Sequence, residues 1–323
     1  MSKIKVLLMS AVLALSVLVP IATLAQQETT TGSGLSISPT RTDLVVNPGT
    51  SADLTISLKN VTGGNVTAKA FINDFESDGV TGEPKLIVDE TQEVVGSIKK
   101  FTQGLSDIPL ATGESKDIVL KINIPDDASP GAYYGVVRYQ AVPEGSSTPG
   151  DGQVALTASV GSIVLIEVPG NITEKIRINS VKAFAGDKGG SFLTSTPDQV
   201  GIEIENLGNG FARPFGRVEV KGMFNKMVKA YEVNNTNPRG VVLPESTRVF
   251  KDNVEGIKWP GRYSVQANIS HGRGGEILTV NQNFWYLPVW FLLIVLAVVG
   301  ALVLAATVLY RRYISQSVTK RKR

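Results

Sequence analysis

LTISLKN, residues 54–60, places Leu54, Ile56 and Leu58 on one side of the chain and Thr55, Ser57 and Lys59 on the other. A strict period of two is the mark of a β-strand with one face buried and one in water. The same alternation recurs at Ile118, Leu120, Ile122 and Ile124, at Ile202 and Ile204, and at Val218 and Val220. Turn residues separate these runs at short intervals: Asn47-Pro48-Gly49, Gly63-Gly64-Asn65, Asp78-Gly79, Pro130-Gly131, Gly208-Asn209-Gly210 and Pro260-Gly261. Outside the C-terminal apolar run the pattern offers one short helix at most, over Thr91 to Phe101. The class is all-β.

Working outward, ISLKN at 56–60 and its Gly-rich turn are echoed by IEIEN at 202–206 and a second Gly-rich turn. Pro130-Gly131-Ala132-Tyr133 is echoed in the same order by Pro260-Gly261-Arg262-Tyr263. In each, the Pro-Gly pair sets a turn, and a tyrosine just inside the next strand is placed to bury its ring and return its hydroxyl to the turn backbone, as at the tyrosine corner of immunoglobulin sandwiches. The expectation is two tandem immunoglobulin-like β-sandwich domains, residues 35–170 and 171–284, with the boundary near Pro169-Gly170. PEGSSTPGDG at 143–152 reads as a hairpin loop between two strands of the first domain.

Leu287 to Tyr310, LPVWFLLIVLAVVGALVLAATVLY, carries no charge. At about 1.5 Å per residue it is long enough to cross a hydrocarbon core of roughly 30 Å as one transmembrane α-helix. Phe284, Trp285, Tyr286 and Trp290 cluster at its entry end, and Arg311, Arg312 and Lys320 to Arg323 follow it, which places residues 311–323 in the cytoplasm and the sandwiches outside. At the other end, Lys3 and Lys5 precede an apolar run from Val6 to Val19 and a small-residue ending at Ala25. Residues 1–25 read as a secretory signal, cleaved after Ala25 or retained as a second anchor. Residues 26–34 form a polar lead-in.

The net charge of +3 is a product of this topology. All 29 acidic residues lie in the exported part against 24 of the 32 basic ones, so the exterior is acidic and offers nothing to nucleic acid. No cysteine is present, so disulfides contribute nothing to stability and each domain relies on an apolar core.

Catalytic chemistry finds little support. The single histidine, His271, lies in the Gly-rich stretch Ser270 to Gly275 and reads as an exposed loop residue. Zinc would need clustered Cys or His. Ser97-Ile98-Lys99-Lys100 matches S-x-x-K without the companion motifs of serine acyl-transfer enzymes. Asp74, Glu76 and Asp78 before Gly79 are spaced like the start of a calcium loop, but the position that should supply a bidentate glutamate is Lys85, and a solvated hairpin turn is the better reading. No catalytic, cofactor or metal residue is assigned. No L-P-x-T-G site precedes the span, so the helix is expected to stay in the membrane.

Ile124 to Val137, IPDDASPGAYYGVV, with Asn47-Pro48-Gly49 upstream and Gly161 to Leu165 downstream, resembles the first domain of bacterial WxL-interacting surface proteins. Ile204-Glu205-Asn206, Val242 to Ser246 and Pro260 to Tyr263, followed by the aromatic-rich span and basic tail, resemble that family's second domain and anchor. The resemblance implies a peptidoglycan-binding sandwich, a protein-binding sandwich and a membrane helix. Two functional expectations follow: a membrane-anchored cell-surface protein that holds cell-wall polymer or a partner protein without turnover, or an exported chaperone-like factor that assists surface subunits by strand donation.

Overall fold

The computed structural model describes residues 34–89, 92, 94–143, 159–272 and 274–320, with side chains as far as 311. The signal, residues 26–33, positions 144–152 of the proposed loop and 321–323 of the tail lie outside the described residues.

The alternating runs form two β-sandwiches. One sheet of the first sandwich has the order β1 (Leu35–Ser38), β3 (Ser51–Asn60), β8 (Ser115–Asn123), β6 (Thr102–Gln103). The other runs β2 (Arg41–Val45), β10 (Ser159–Val168), β9 (Gly131–Pro143), β4 (Val66–Ser77), β5 (Pro84–Ile87), with β7 (Ile108–Leu110) also pairing with β4. The chain changes sheets around Pro39: β1 is antiparallel to β3, and β2 runs parallel to β10 from Arg41↔Ile163 to Val45↔Glu167. Leu54, Ile56, Leu58, Leu120 and Ile122 meet Val137, Tyr139, Val164 and Ile166 in the core. Each of these apolar faces leaves water entirely, at about 25 cal/mol per Å² of area removed.

The second sandwich repeats the plan. One sheet orders β12 (Lys188–Gly190), β11 (Ile176–Ala185), β14 (Gln199–Asn206), β17 (Thr247–Asn253). The other orders β13 (Phe192–Leu193), β19 (Glu276–Tyr286), β18 (Gly261–His271), β15 (Phe215–Lys221), β16 (Met227–Val233). Val200, Ile202 and Ile204 pack against Val218, Val220, Val265 and Phe284.

The internal repeat is a repeat of hydrogen bonds. Asn60 is fully buried; its Nδ2 donates to the carbonyls of Gly64 (2.8 Å), Leu110 (3.2 Å) and Ala111 (3.1 Å), and its Oδ1 accepts from the Thr62 amide (2.9 Å). Asn206 does the same in the second sandwich, donating to Gly210 (2.8 Å) and Val242 (3.0 Å) and accepting from the Gly208 amide (2.9 Å). The backbone amide of each asparagine donates to a carbonyl four residues past that cross-strand partner, Glu114 and Ser246. The two corner tyrosines also match: Tyr133 donates its hydroxyl to the Ser129 carbonyl (2.9 Å) and Tyr263 to that of Trp259 (2.7 Å).

The short helix expected at Thr91 to Phe101 is corrected. Thr91 lies outside the described residues, and what forms is a single 3-10 turn, Lys99–Phe101, because Ser97 bridges to Tyr134 of β9 and pulls the segment into extended form. β19 ends at Tyr286, and the Leu287 amide still donates to the Leu193 carbonyl (2.8 Å), so Leu287 belongs to the sandwich. After Pro288 the helix α1 (Val289–Lys320) begins, two residues later than expected and continuing past Arg311 into the basic segment. Its apolar part, Val289–Arg311 with mean hydropathy 3.0, is long and apolar enough to cross a membrane.

Candidate functional site

The residues that sequence spacing places near one another do not share one site. Asp74 is buried and pairs with Lys99 Nζ at 2.7 Å; Glu76 pairs with Lys85 Nζ at 2.6 Å on the outer face. Asp78 turns back on its own loop, accepting from the amides of Val80 (3.0 Å), Thr81 (2.9 Å) and Gly82 (2.8 Å) and from the Thr81 hydroxyl. Asp74 and Glu76 are two apart on β4 and so share a face, but each carboxylate is taken by its own lysine and Asp78 lies past the strand end on its own turn; among the described residues no group of three such side chains is placed to hold a metal ion. Ser97 Oγ accepts the Lys99 amide (3.2 Å), a local turn contact. His271 is corrected from exposed loop residue to buried strand residue, 4% exposed. It closes the β18–β19 ladder opposite Glu276, and the Gly-rich turn begins one residue later.

What the fold does assemble lies between the sandwiches. The Gly208-Asn209-Gly210 turn of the second domain docks onto the Pro130-Gly131 turn of the first. The Asn209 carbonyl accepts the Ala132 amide (2.9 Å), its Nδ2 donates to Pro130 O (3.1 Å), and its Oδ1 accepts the Thr173 amide (2.8 Å). Gly131 has φ +147°, and a Cβ there would lie 2.9 Å from the Asn209 carbonyl oxygen, so this contact needs glycine. Beside it an apolar cluster spans the junction: Phe75, Ala132, Val136 and Leu165 from the first sandwich, Phe211 and Leu243 from the second. The Tyr134 ring stands between Phe75 (5.0 Å) and Phe211 (6.2 Å). The loop after β4 also crosses over: Val80 O accepts the Val249 amide of β17 (2.8 Å), and Ser77 Oγ donates to Thr247 O (3.1 Å).

A small cleft of about 80 Å³ opens at this junction, with Phe75, Ile163, Leu165, Val241 and Leu243 as apolar walls and Arg41 and Arg248 at its rim. Arg41 grips Asp43 through two bonds (2.6 and 2.7 Å) and donates to Arg239 O (3.0 Å); Arg213 reaches the same Asp43 at 3.0 Å. Burial works to raise the Asp43 carboxyl, but Arg41 and Arg213 outweigh it and hold the group below its ordinary value. Arg248 donates to Val241 O (3.0 Å), makes no ion pair among the described residues, and keeps a buried Nε without an acceptor. Burial, and then the charge of Arg41, push its pKa down, while the charge of Asp78 works the other way. Glu83 also lines the cleft, so its charged lining is two arginines and one carboxylate. No sequence motif announces it, because its arginines come from β2, β17 and the loops between strands.

Next to the cleft lies an open sheet edge. The outer edge of β10 is covered by β2 only from Ile163 onward, where the Ile163 amide donates to Thr40 O (2.9 Å). Backbone groups alternate sides along a strand, so Gly161 and Ser159 direct theirs the same way, and they have no backbone partner there among the described residues. The edge at β5 is blunted differently, by Pro84 and Lys85.

The Asp78 loop makes one junction contact pH-dependent. Burial raises the Asp78 carboxyl, yet the Thr81 hydroxyl and the three amides together hold it far below the usual carboxylate range. A depressed folded-state value means that its stabilisation is complete above the unfolded value near ~4 and is lost as pH falls through the lower folded value. Protection of the Val80 and Gly82 amides in hydrogen exchange is therefore expected to hold at about pH 5 to 7, above that unfolded value, and to collapse only under stronger acid; Asp78→Asn should remove this acid step.

No family model matches the chain, and no curated protein matches it. Among solved structures, it is similar to a chain from a chaperone–tip adhesin complex of CFA/I fimbriae biogenesis, at 15% identity over 79% of this chain and 100% of that one, with a TM-score of 0.40. The Pseudomonas aeruginosa chaperone CupB2 matches at 14% identity over 75% and 97% of the two chains (TM-score 0.34), and the E. coli chaperone DraB at 14% over 78% and 96% (TM-score 0.34). At such identities and scores none of them fixes what this chain binds.

Proposed function

We propose that the chain is an exported, membrane-tethered binding protein that holds an extended segment of another surface polypeptide by strand addition, without turnover. The observation that carries this reading is the first half of β10, whose outward backbone groups have no backbone partner among the described residues. Free backbone donors and acceptors on a sheet edge select an extended peptide by main-chain hydrogen bonds. A segment laid there runs in line with β2 and ends against Thr40 and Arg41, beside the cleft, where Arg248 can receive an acidic side chain or chain end. The apolar helix supplies the tether, with the sandwiches outside and the basic end inside. Of the partners implied by the resemblance to WxL-interacting proteins, a polypeptide suits these features better than a glycan polymer. Short-lived complexes with secreted subunits would mark an assembly factor; long-lived ones, a surface receptor.

Ser159→Pro tests this. The Ser159 amide points away from β9, so proline there breaks no ladder bond, and stability should change by less than about 1 kcal/mol. It removes an edge donor and adds a ring that blocks pairing, so affinity for the partner should fall at least ~10-fold. The measurement is photocrosslinking in cells from a benzoylphenylalanine at the exposed position 40 of the full chain, with and without Ser159→Pro. A discrete polypeptide adduct that the substitution abolishes is expected. No adduct, with the full chain instead retained on purified peptidoglycan, overturns the polypeptide reading and transfers support to the polymer.

A further inference from the structure

The β15–β16 hairpin ends in Gly222-Met223-Phe224-Asn225-Lys226, and its two central residues have positive φ, Phe224 at 59° and Asn225 at 60°. Lys226 closes it by donating to Met223 O (3.4 Å). Such a turn suits the right-handed twist of a hairpin, and its central positions favour Gly, Asn and Asp. Asn225 fits; a phenylalanine at positive φ is conformationally costly. Nor does burial repay it, since Phe224 is 96% exposed, and Met223 beside it is 53% exposed.

Register shows where this tip lies. Lys221 pairs with Ser264, and three residues earlier on β18 Gly261 pairs with Tyr286, the last residue of β19. Continuing past Lys221 brings Met223 and Phe224 level with Gly261 and Tyr286, and a Cβ on Gly261 would lie 2.6 Å from Met223 Sδ. Trp259, 75% exposed, is held at the same end through the Tyr263 hydroxyl bond to its carbonyl. Phe192, 72% exposed, pairs there with Trp285. Only Leu287 and Pro288 separate this end from α1. The tip lies two strands from the helix exit, about 10 Å at 4.8 Å per strand. Lys226, Lys258 and Arg262 lie among the apolar side chains, suited to anionic headgroups.

We propose that Met223, Phe224 and Trp259 form a second membrane contact, seating the end of the second sandwich in the outer leaflet of the bilayer that its own helix crosses. The occupant follows from continuity: a helix that enters hydrocarbon at Val289 brings residues level with Tyr286 into the interfacial layer, where aromatic side chains are favoured. The turn thereby holds at positive φ an apolar side chain that is almost wholly exposed among the described residues.

This rests on α1 being a span, and the test separates the two. The chain has no cysteine, so single-cysteine variants of the full chain, Phe224→Cys, Trp259→Cys, Leu302→Cys and Thr112→Cys, can each carry one environment-sensitive fluorophore. Reconstituted in phosphatidylethanolamine–phosphatidylglycerol vesicles, labels at 224 and 259 should be quenched by doxyl-labelled acyl chains and shielded from iodide at least ~3-fold relative to 112, at the far end of the first sandwich. Adding Phe224→Ser to Trp259→Cys should reduce the lipid quenching at 259. A label at 302 in lipid with 224 and 259 as open to iodide as 112 overturns the seat and leaves the span; a label at 302 in water removes both.

Discussion

Asn60→Ala is expected to lower the stability of the first sandwich by about 3 to 5 kcal/mol, enough to remove much of the margin of an ordinary domain. The amide of Asn60 satisfies carbonyls at Gly64, Leu110 and Ala111 and accepts from both the amide and hydroxyl of Thr62. A net value near ~1 kcal/mol per bond understates the loss, because water has no access to replace it and the carbonyls are left without their donor. Asn206→Ala should act alike in the second sandwich, through Gly210, Val242 and Gly208. Denaturant unfolding followed at the two domains separately would measure both. A change under 1 kcal/mol at either site, against the ~3 expected from the bond count, would show that the asparagine is not the strand-end staple described.

Phe211→Ala should cost about 3 to 4 kcal/mol and, more tellingly, uncouple the domains. Phe211 is 7% exposed, and its ring fills the cluster that Phe75, Val136, Leu165 and Leu243 share across the junction. While that cluster is intact, unfolding one sandwich strips apolar cover from the other, which favours one cooperative transition. With the ring gone, calorimetry should resolve two transitions. Phe284→Ala, a comparable truncation wholly inside the second sandwich, should lower stability without that split. A single unchanged transition in Phe211→Ala would mean that the polar contacts across the junction, among them the Asn209 turn, the Val80–Val249 and Ser77–Thr247 bonds and the Arg41 and Arg213 contacts, couple the domains without the ring.

How much of this was legible in sequence depended on range. Strand alternation at Leu54 to Leu58 and at Ile202 to Ile204 revealed the sandwiches because burial on one face imposes period two locally. The tyrosine corners were legible for the same reason, each bond reaching back only four residues. Asn60 and Asn206 were visible as an echo, but their partners on the opposing sheet edge were not. The Pro130-Gly131 and Gly208-Asn209-Gly210 turns were correctly read as turns; that one docks on the other is a tertiary fact with no local signature. Arg41, Arg213 and Arg248 are single residues on distant elements, and their convergence depends on the interdomain angle. His271 was misread because glycines follow it, whereas its own backbone pairs with Glu276.

The passage from β19 into α1 has a mechanical meaning. Under the function proposed above, tension between a partner at the first sandwich and the membrane would enter the second at Ile176, at one end of one sheet, and leave at Tyr286, at the opposite end of the other. The pull runs along the strands, so the ladder from Gly261↔Tyr286 to His271↔Glu276 is loaded in shear and its bonds must yield together; pulled crosswise, they would break singly, in sequence. With two residues between strand and helix there is little slack to take up. Force on the partner would reach the bilayer through a stiff mast, and the first thing to give would be the grip on the partner.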